Sequence, residues 1–172
     1  DGNNQEYPGL MFSDQIKNIA GWNFSFDAGG AMQTGWILKP EGWYYAQPNG
    51  AFAKGWLYLN NKWYYLDGND QEHPGLMLSD QIKNIAGWNF CFNAGGAMQT
   101  GWILKPEGWY YAQSNGAFAK GWLYLNGVWY YLDENNVEYP DLMVSNQEKP
   151  IGGNTYFFDG SGAMKTGWRL KA

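Results

Sequence analysis

The chain has 172 residues, a formal net charge of −5 and one cysteine. That acidic balance argues against nucleic acid, which calls for clustered Lys and Arg, and a lone Cys excludes an internal disulfide framework. Aromatics make up 19% of residues, more ring than a packed core of this size uses, and 24 glycines indicate many short strands joined by tight turns.

Internal repetition sets the organisation. Residues 1–66 and 67–132 match almost position for position: Trp22, Trp36, Trp43, Trp56 and Trp63 recur as Trp88, Trp102, Trp109, Trp122 and Trp129. Residues 133–172 begin a third copy that stops just after Gly167-Trp168. The expected object is one domain over residues 1–172. No apolar run reaches the roughly 18 residues of a membrane span, so no membrane insertion is expected. The chain opens inside a repeat without a start Met or a leader-like segment, which reads as a mature or cut fragment.

Each super-repeat divides into three hairpin-sized pieces. The first, Ser13 to Thr34, holds a degraded strand pair, QIKNI and NFSFD, and ends in GGAMQTG. The second, Gly35 to Lys54, opens on Gly-Trp, turns at Pro40-Glu41-Gly42 and resumes as Trp43-Tyr44-Tyr45. The third, Gly55 to Leu78, repeats that signature as GWLYLNNKWYYLD and exits through DGNDQEHPGLMLSD. Strand side chains alternate, so Trp43 and Tyr45 share one face and Tyr44 takes the other. Met32, Met98 and Met164 follow Gly-Ala, and Met11, Met77 and Met143 follow Leu, each just beyond a second strand. No segment sustains a 3.6 period. A lone hairpin is marginal in water, and stacking gives each apolar face a partner. The pattern predicts an all-β solenoid of about seven stacked β-hairpins, with no helix longer than a turn or two.

Catalytic and metal chemistry finds no support. The only histidine, His73, is Tyr7 and Tyr139 in the sister copies, and Cys91 is Ser25 and Phe157. Residues that swap so freely are not nucleophiles or ligands. The loop from Asp67 to Glu72 is rich in oxygen but lacks the Gly and distal Glu of an EF-hand loop. Every carboxylate candidate is duplicated, whereas catalytic sites are singular, and no G-x-S-x-G elbow is present. Neither an enzyme, a metal site nor a cofactor is expected.

The aromatics are different. Trp36 and Trp43 can approach on one face, with Tyr65 from the next hairpin beside them and Met77 closing the side. Three rings around a small cavity form a cage for a quaternary ammonium, each worth about 0.5–2 kcal/mol. After association costs, that predicts millimolar affinity per site and a reason for several copies, since a polymer bearing many cations is held by avidity. Tyr44, Tyr64 and the Leu residues on the opposite face read as packing between hairpins.

At these residues the chain resembles the choline-binding repeats of Gram-positive surface proteins, through spaced Gly-Trp, Trp-Tyr-Tyr and Gly-x-Met over nearly its whole length. The resemblance implies a solenoid of hairpins with choline held between consecutive repeats. It implies phosphocholine on teichoic or lipoteichoic acid as the partner, non-covalent attachment to the wall of a secreted protein, and a homodimer through a terminal repeat as one arrangement. Its sites would be Trp36, Trp43, Tyr65 and Met77; Trp102, Trp109, Tyr131 and Met143; and Trp122, Trp129, Phe157 and Met164. Trp56 and Trp63, with Met98, would look to Cys91 for a third wall and are expected to bind weakly. The first hairpin has Asn23 or Asn89 in the tryptophan slot, which leaves that junction without a cage unless Trp22 and Trp88 shift to fill it. The alternatives are a glucan-binding repeat stacking rings on sugars, suggested by Tyr156 to Phe158 and Gly-Ala-Met-x-Thr-Gly, and a structural or oligomerisation rod.

Overall fold

The computed structural model describes residues 10–167; Trp168 lies outside them. Among the described residues every regular element is a strand, as expected. The turns explain why. Asn60 and Asn61 sit at φ 50° and 59°, and Asn126 and Gly127 at 51° and 82°. Left-handed backbone at both central positions makes a type I′ turn, whose twist matches that of paired strands. In the second hairpin Pro40 presets the φ of the turn instead.

The chain forms two compact units. The first comprises Asp1–Gln81 and Phe92–Met98 and the second Ile82–Cys91 and Gln99–Ala172. In the first, β1 (Gln15–Ile19) pairs antiparallel with β2 (Trp22–Phe26), β3 (Gly35–Lys39) with β4 (Gly42–Ala46), and β5 (Gly55–Leu59) with β6 (Lys62–Asp67). A short β7 (Leu76–Met77) joins β6 as a third strand. β8 (Gln81–Ile85) and β9 (Trp88–Phe92) make the next hairpin, most of which belongs to the second unit. In the second unit, β10 (Gly101–Lys105) pairs with β11 (Gly108–Ala112). β12 (Gly121–Leu125), β13 (Val128–Asp133) and β14 (Leu142–Met143) form one sheet, and β15 (Gln147–Ile151), β16 (Asn154–Phe158) and β17 (Met164–Lys165) another.

The apolar residue after each second strand is what closes the hairpin. Where no third strand forms, single bridges do the same work: Phe26 with Met32, Ala46 with Phe52, Phe92 with Met98, and Ala112 with Phe118. The returning segment therefore delivers a Met or Phe to a fixed place. Phe52 and Phe118 are fully buried and lie against Tyr44 and Tyr110, with ring centroids 4.9 and 5.0 Å apart. In the first unit Ile37, Tyr44, Ala46 and Phe52 form a core joined by Ile16 and Leu76. In the second, Ile103, Tyr110, Ala112, Phe118 and Cys91 are joined by Ile82 and Leu142. Each core thus links consecutive hairpins. Cys91 and Ser25 do the same job, each bonding to the following glutamine, Gln99 or Gln33.

One buried group differs between the units. Asp141 stands where the first unit has Gly75, at φ 70° against 94°. Its side chain is 1% exposed; Asn89 Nδ2 donates to Oδ2 at 2.8 Å, while Oδ1 has no hydrogen-bond partner among the described residues. Burial pushes this carboxyl above its ordinary range.

Two stability outcomes follow from these contacts. Phe118→Ala removes a fully buried ring and should cost about 3–5 kcal/mol, read as a lower urea midpoint. Asp141→Gly removes a half-satisfied buried carboxylate, whose cost is about 1–3 kcal/mol, from a left-handed position that suits glycine, and should raise the midpoint at neutral pH. Because the folded pKa is raised, the wild-type penalty is present at high pH and fades as pH falls through the folded value. The advantage of Asp141→Gly should therefore shrink on acidification; an advantage that grew instead would contradict the assignment.

Candidate ligand-binding grooves

The strand register decides which rings can meet. In the second hairpin Trp36 lies opposite Tyr45 and Leu38 opposite Trp43, while Ile37 lies opposite Tyr44. Trp36, Leu38, Trp43 and Tyr45 therefore share one face, and Ile37 and Tyr44 the other. The same parity places Leu57 and Tyr64 on the back of the third hairpin. That back meets the tryptophan face before it. Trp36 stands perpendicular to Trp43 at 6.4 Å between centroids, and Tyr64 reaches Trp36 at 5.0 Å. Edge-on contacts of this kind match the ring quadrupoles and leave ring faces open between them.

The resulting groove is lined by Trp36, Trp43, Tyr64 and Met77, with Gly95 at its edge, and has a volume of about 330 Å³. The second unit builds it twice more. Trp102, Trp109, Tyr130 and Met143, with Ser161, enclose about 310 Å³; Trp102 meets Trp109 at 6.3 Å and Tyr130 at 5.0 Å. Trp122, Trp129, Tyr156 and Met164 enclose about 360 Å³, with Trp122 at 6.0 Å from Trp129 and 4.7 Å from Tyr156.

The third wall is thus corrected by one residue in each groove. Tyr65 and Tyr131 do not line the grooves of Trp36 and Trp102; they lie beside Trp56 and Trp122 of their own hairpins, at 5.1 and 5.2 Å. Phe157 is not a lining residue either, and its neighbour Tyr156 takes the place. The physical reason is the period of two. A tyrosine on the same face as its own tryptophan looks onward with it, so only the residue of opposite parity can look back. Tyr64, expected to be packing, is therefore a groove wall, whereas Tyr44 is indeed core. The expected tryptophans and methionines do line the grooves.

The methionine wall depends on a glycine. Gly96, at φ 77°, faces Met77, and a Cβ there would fall inside the Met77 side chain. Gly162 stands in the same relation to Met143. The turn around Gly162 is held by Asp159, which accepts from the Ser161 hydroxyl at 2.7 Å and from the Ala163 amide at 3.0 Å. The Lys165 ammonium, 2.7 Å away, and the Ser161 hydroxyl hold this carboxyl well below its usual range, so it stays ionised and keeps its shape. Apart from Gly95 and Ser161 the lining of all three grooves is aromatic or thioether.

Trp56 and Trp63 make a similar perpendicular corner at 6.2 Å. Within the first unit Phe92 lies 5.9 Å from Trp56, and the Met98 amide donates to the Trp63 carbonyl at 2.8 Å. Cys91 is fully buried in the core of the second unit. Trp22 and Trp88, on the hairpins that lack the signature, line none of these three grooves. Each carries a lysine instead: Lys54 Nζ lies 5.8 Å from the Trp22 ring centroid and Lys120 Nζ 4.9 Å from that of Trp88. In the oxygen-rich loop the carboxylates serve backbone amides, Asp67 accepting from Asn69 and Asp70 from Glu72 and His73; His73 lies 3.9 Å from Glu41.

Neutral, thioether-edged boxes of perpendicular rings can hold a methylated cation or the face of a sugar. A model of the cell wall binding repeat matches residues 54–69, 100–118, 120–135 and 151–164, which include Trp102, Trp109, Trp122, Trp129, Tyr130 and Tyr156. Over those segments the chain is similar to cell wall binding repeats. Solved structures with similar folds agree. CbpJ of Streptococcus pneumoniae TIGR4 is 30% identical, covering 87% of this chain and 51% of its own, at a TM-score of 0.76. Choline binding protein F of Streptococcus pneumoniae, solved with a peptidoglycan analogue, is 29% identical over 88% of this chain and 46% of its own, at 0.72. The cell wall endolysin of phage Cp-1, solved with choline, is 28% identical over 78% of this chain and 37% of its own, at 0.52. The chain spans about half the length of the first two. A comparison with curated protein sequences finds no match.

The corrected wall has a direct test. Tyr130→Ala deletes one ring of the Trp102 groove and should weaken binding of tetramethylammonium there by about 0.5–2 kcal/mol. Tyr131→Phe, in the hairpin interior, should leave that groove's affinity unchanged. Indole resonances of Trp102 and Trp109 in a titration read both, and the reverse order would restore Tyr131 as the wall.

Proposed function

We propose that the chain is a non-catalytic cell-wall-binding module that holds choline groups in the three Trp-Trp-Tyr-Met grooves found among the described residues. The observation that carries this reading is the threefold recurrence of one neutral ring box in a chain with a net charge of −5. A trimethylammonium group gains from such a box twice, through cation–π attraction and through burial of its methyls against rings. It needs no carboxylate, and none lines the grooves. Each groove alone supplies a few kcal/mol, which after association costs leaves millimolar binding. Three grooves on one chain make sense against a polymer that presents many cations, where avidity multiplies weak contacts. Phosphocholine on teichoic or lipoteichoic acid is the polymer of that chemistry proposed here, with non-covalent attachment of a surface protein to the wall as the role. The repeat family and the choline-bound endolysin support the ligand.

Choline at millimolar concentration should raise the melting temperature by mass action, and the protein should stay on a tertiary-amine resin until free choline elutes it. Trp43→Ala together with Trp109→Ala should cut retention sharply, at about 1–2 kcal/mol per groove, provided each variant melts like the parent without ligand. Stabilisation by a glucan with no response to choline would establish the sugar-stacking alternative instead.

A further inference from the structure

The three grooves differ at one position of the outer rim. Leu38 lies opposite Trp43 and Leu104 opposite Trp109 in the strand register. At the third groove the same cross-strand position is Tyr124, opposite Trp129. Its ring lies on Trp129 at 4.8 Å between centroids, tilted by 39°. The arrangement recurs independently in the first unit, where Tyr58 lies on Trp63 at 4.9 Å and 44°. The rim therefore comes in two kinds, a leucine rim on second hairpins and a tyrosine rim on third hairpins. Trp43, Trp109 and Trp129 are all about two-fifths exposed, so burial does not distinguish them. What differs is the surface behind the ring.

We propose that Tyr124 is a positioning residue that makes the Trp122/Trp129 groove the tightest of the three, and this rests on the reading of the grooves as quaternary-ammonium sites. Trp129 is the outer wall and the most exposed ring of its groove, so it has the most rotamer freedom to lose when a ligand enters. A ring stacked behind it holds that wall in place beforehand, and fixing a side chain before binding removes a cost that binding otherwise meets. Leucine at the same site is a smaller surface without a face to stack. The effect is on affinity and not on what is bound, since Tyr124 does not line the cavity.

The test uses the full chain with labelled tryptophan indoles, which report each groove separately, titrated with choline chloride. In the parent, Trp129 should saturate at lower choline than Trp109. Tyr124→Leu should weaken the Trp129 groove by roughly two- to tenfold and leave the Trp109 groove as it was, while Tyr124→Phe restores the parent value at Trp129. The transplant Leu104→Tyr should tighten the Trp109 groove by a similar factor. That variant decides the matter by itself if Tyr124→Leu does not fold. Unchanged affinity at Trp129 in Tyr124→Leu, or at Trp109 in Leu104→Tyr, with choline still binding, overturns the role of the rim. Equal weakening at both grooves in Tyr124→Leu also overturns it, because that is general loosening. Choline that moves no indole resonance in the parent overturns the ligand reading itself, and the rim proposal with it.

Discussion

Everything in the grooves depends on the two-residue alternation of an extended chain. A hairpin in a stack must present one face forward and one back, and side-chain parity assigns every residue to one or the other. Trp63 and Tyr65 look one way, Tyr64 the other. A groove is therefore never the property of one hairpin; it is a forward face of tryptophans closed by the backward face of the next. This constraint also explains why the returning segment matters. Met77 and Met143 come back along the second strand as a third strand, in register with Leu66 and Leu132, which places the thioether at the groove edge without any residue reaching across open solvent.

The same alternation shows how much was legible in the sequence and how much was not. Hairpins, turns and the tryptophan walls could be read because they rest on local signals: Asn-Gly and Pro turns, Gly-Trp spacing and aromatic strands. The third wall was misplaced because Trp-Tyr-Tyr offers two tyrosines, and the parity of the neighbouring hairpin decides between them. A signal was nonetheless present. Across the seven second strands the middle position is always a ring, as Phe24, Tyr44, Tyr64, Phe90, Tyr110, Tyr130 and Tyr156. The position after it runs through Ser25, Tyr45, Tyr65, Cys91, Tyr111, Tyr131 and Phe157. A wall or a core contact between hairpins tolerates only rings; the next residue, inside its own hairpin, accepts a serine or a thiol that bonds the following glutamine. The third strands were missed for another reason: two residues of pairing leave almost no periodic trace.

The hairpins that lack the signature follow from the same physics. Asn23 and Asn89 replace the tryptophan, and the nearby Trp22 and Trp88 sit at the turn with Lys54 and Lys120 over their rings. The chain here supplies its own ammonium to a lone indole. One face and one cation give a contact worth fractions of a kcal/mol at an exposed site, enough to order a long side chain but not to capture a free ligand at useful concentration. The two kinds of junction thus differ in ring number, not in chemistry: one ring suits an ammonium already tethered, three rings suit one that must be won from water.

That comparison bears on why the protein keeps so much aromatic surface open. Exposed rings cost solubility and invite association, and a chain with 11 tryptophans meets that hazard with a net negative charge and with grooves instead of flat patches. The charge lies outside the boxes, in turns such as that of Asp159, where carboxylates cap amides and pair with lysine. Rings can then recognise a cation by their faces alone, without a carboxylate inside that would bind any small cation and hold it too strongly hydrated to exclude. Under the function proposed above, selectivity for a methylated ammonium over Na⁺, K⁺ or a lysine from another protein would come from the apolar walls. A hydrated ion cannot shed its water there for the return that a few ring faces offer, whereas a trimethylammonium carries its apolar coat with it.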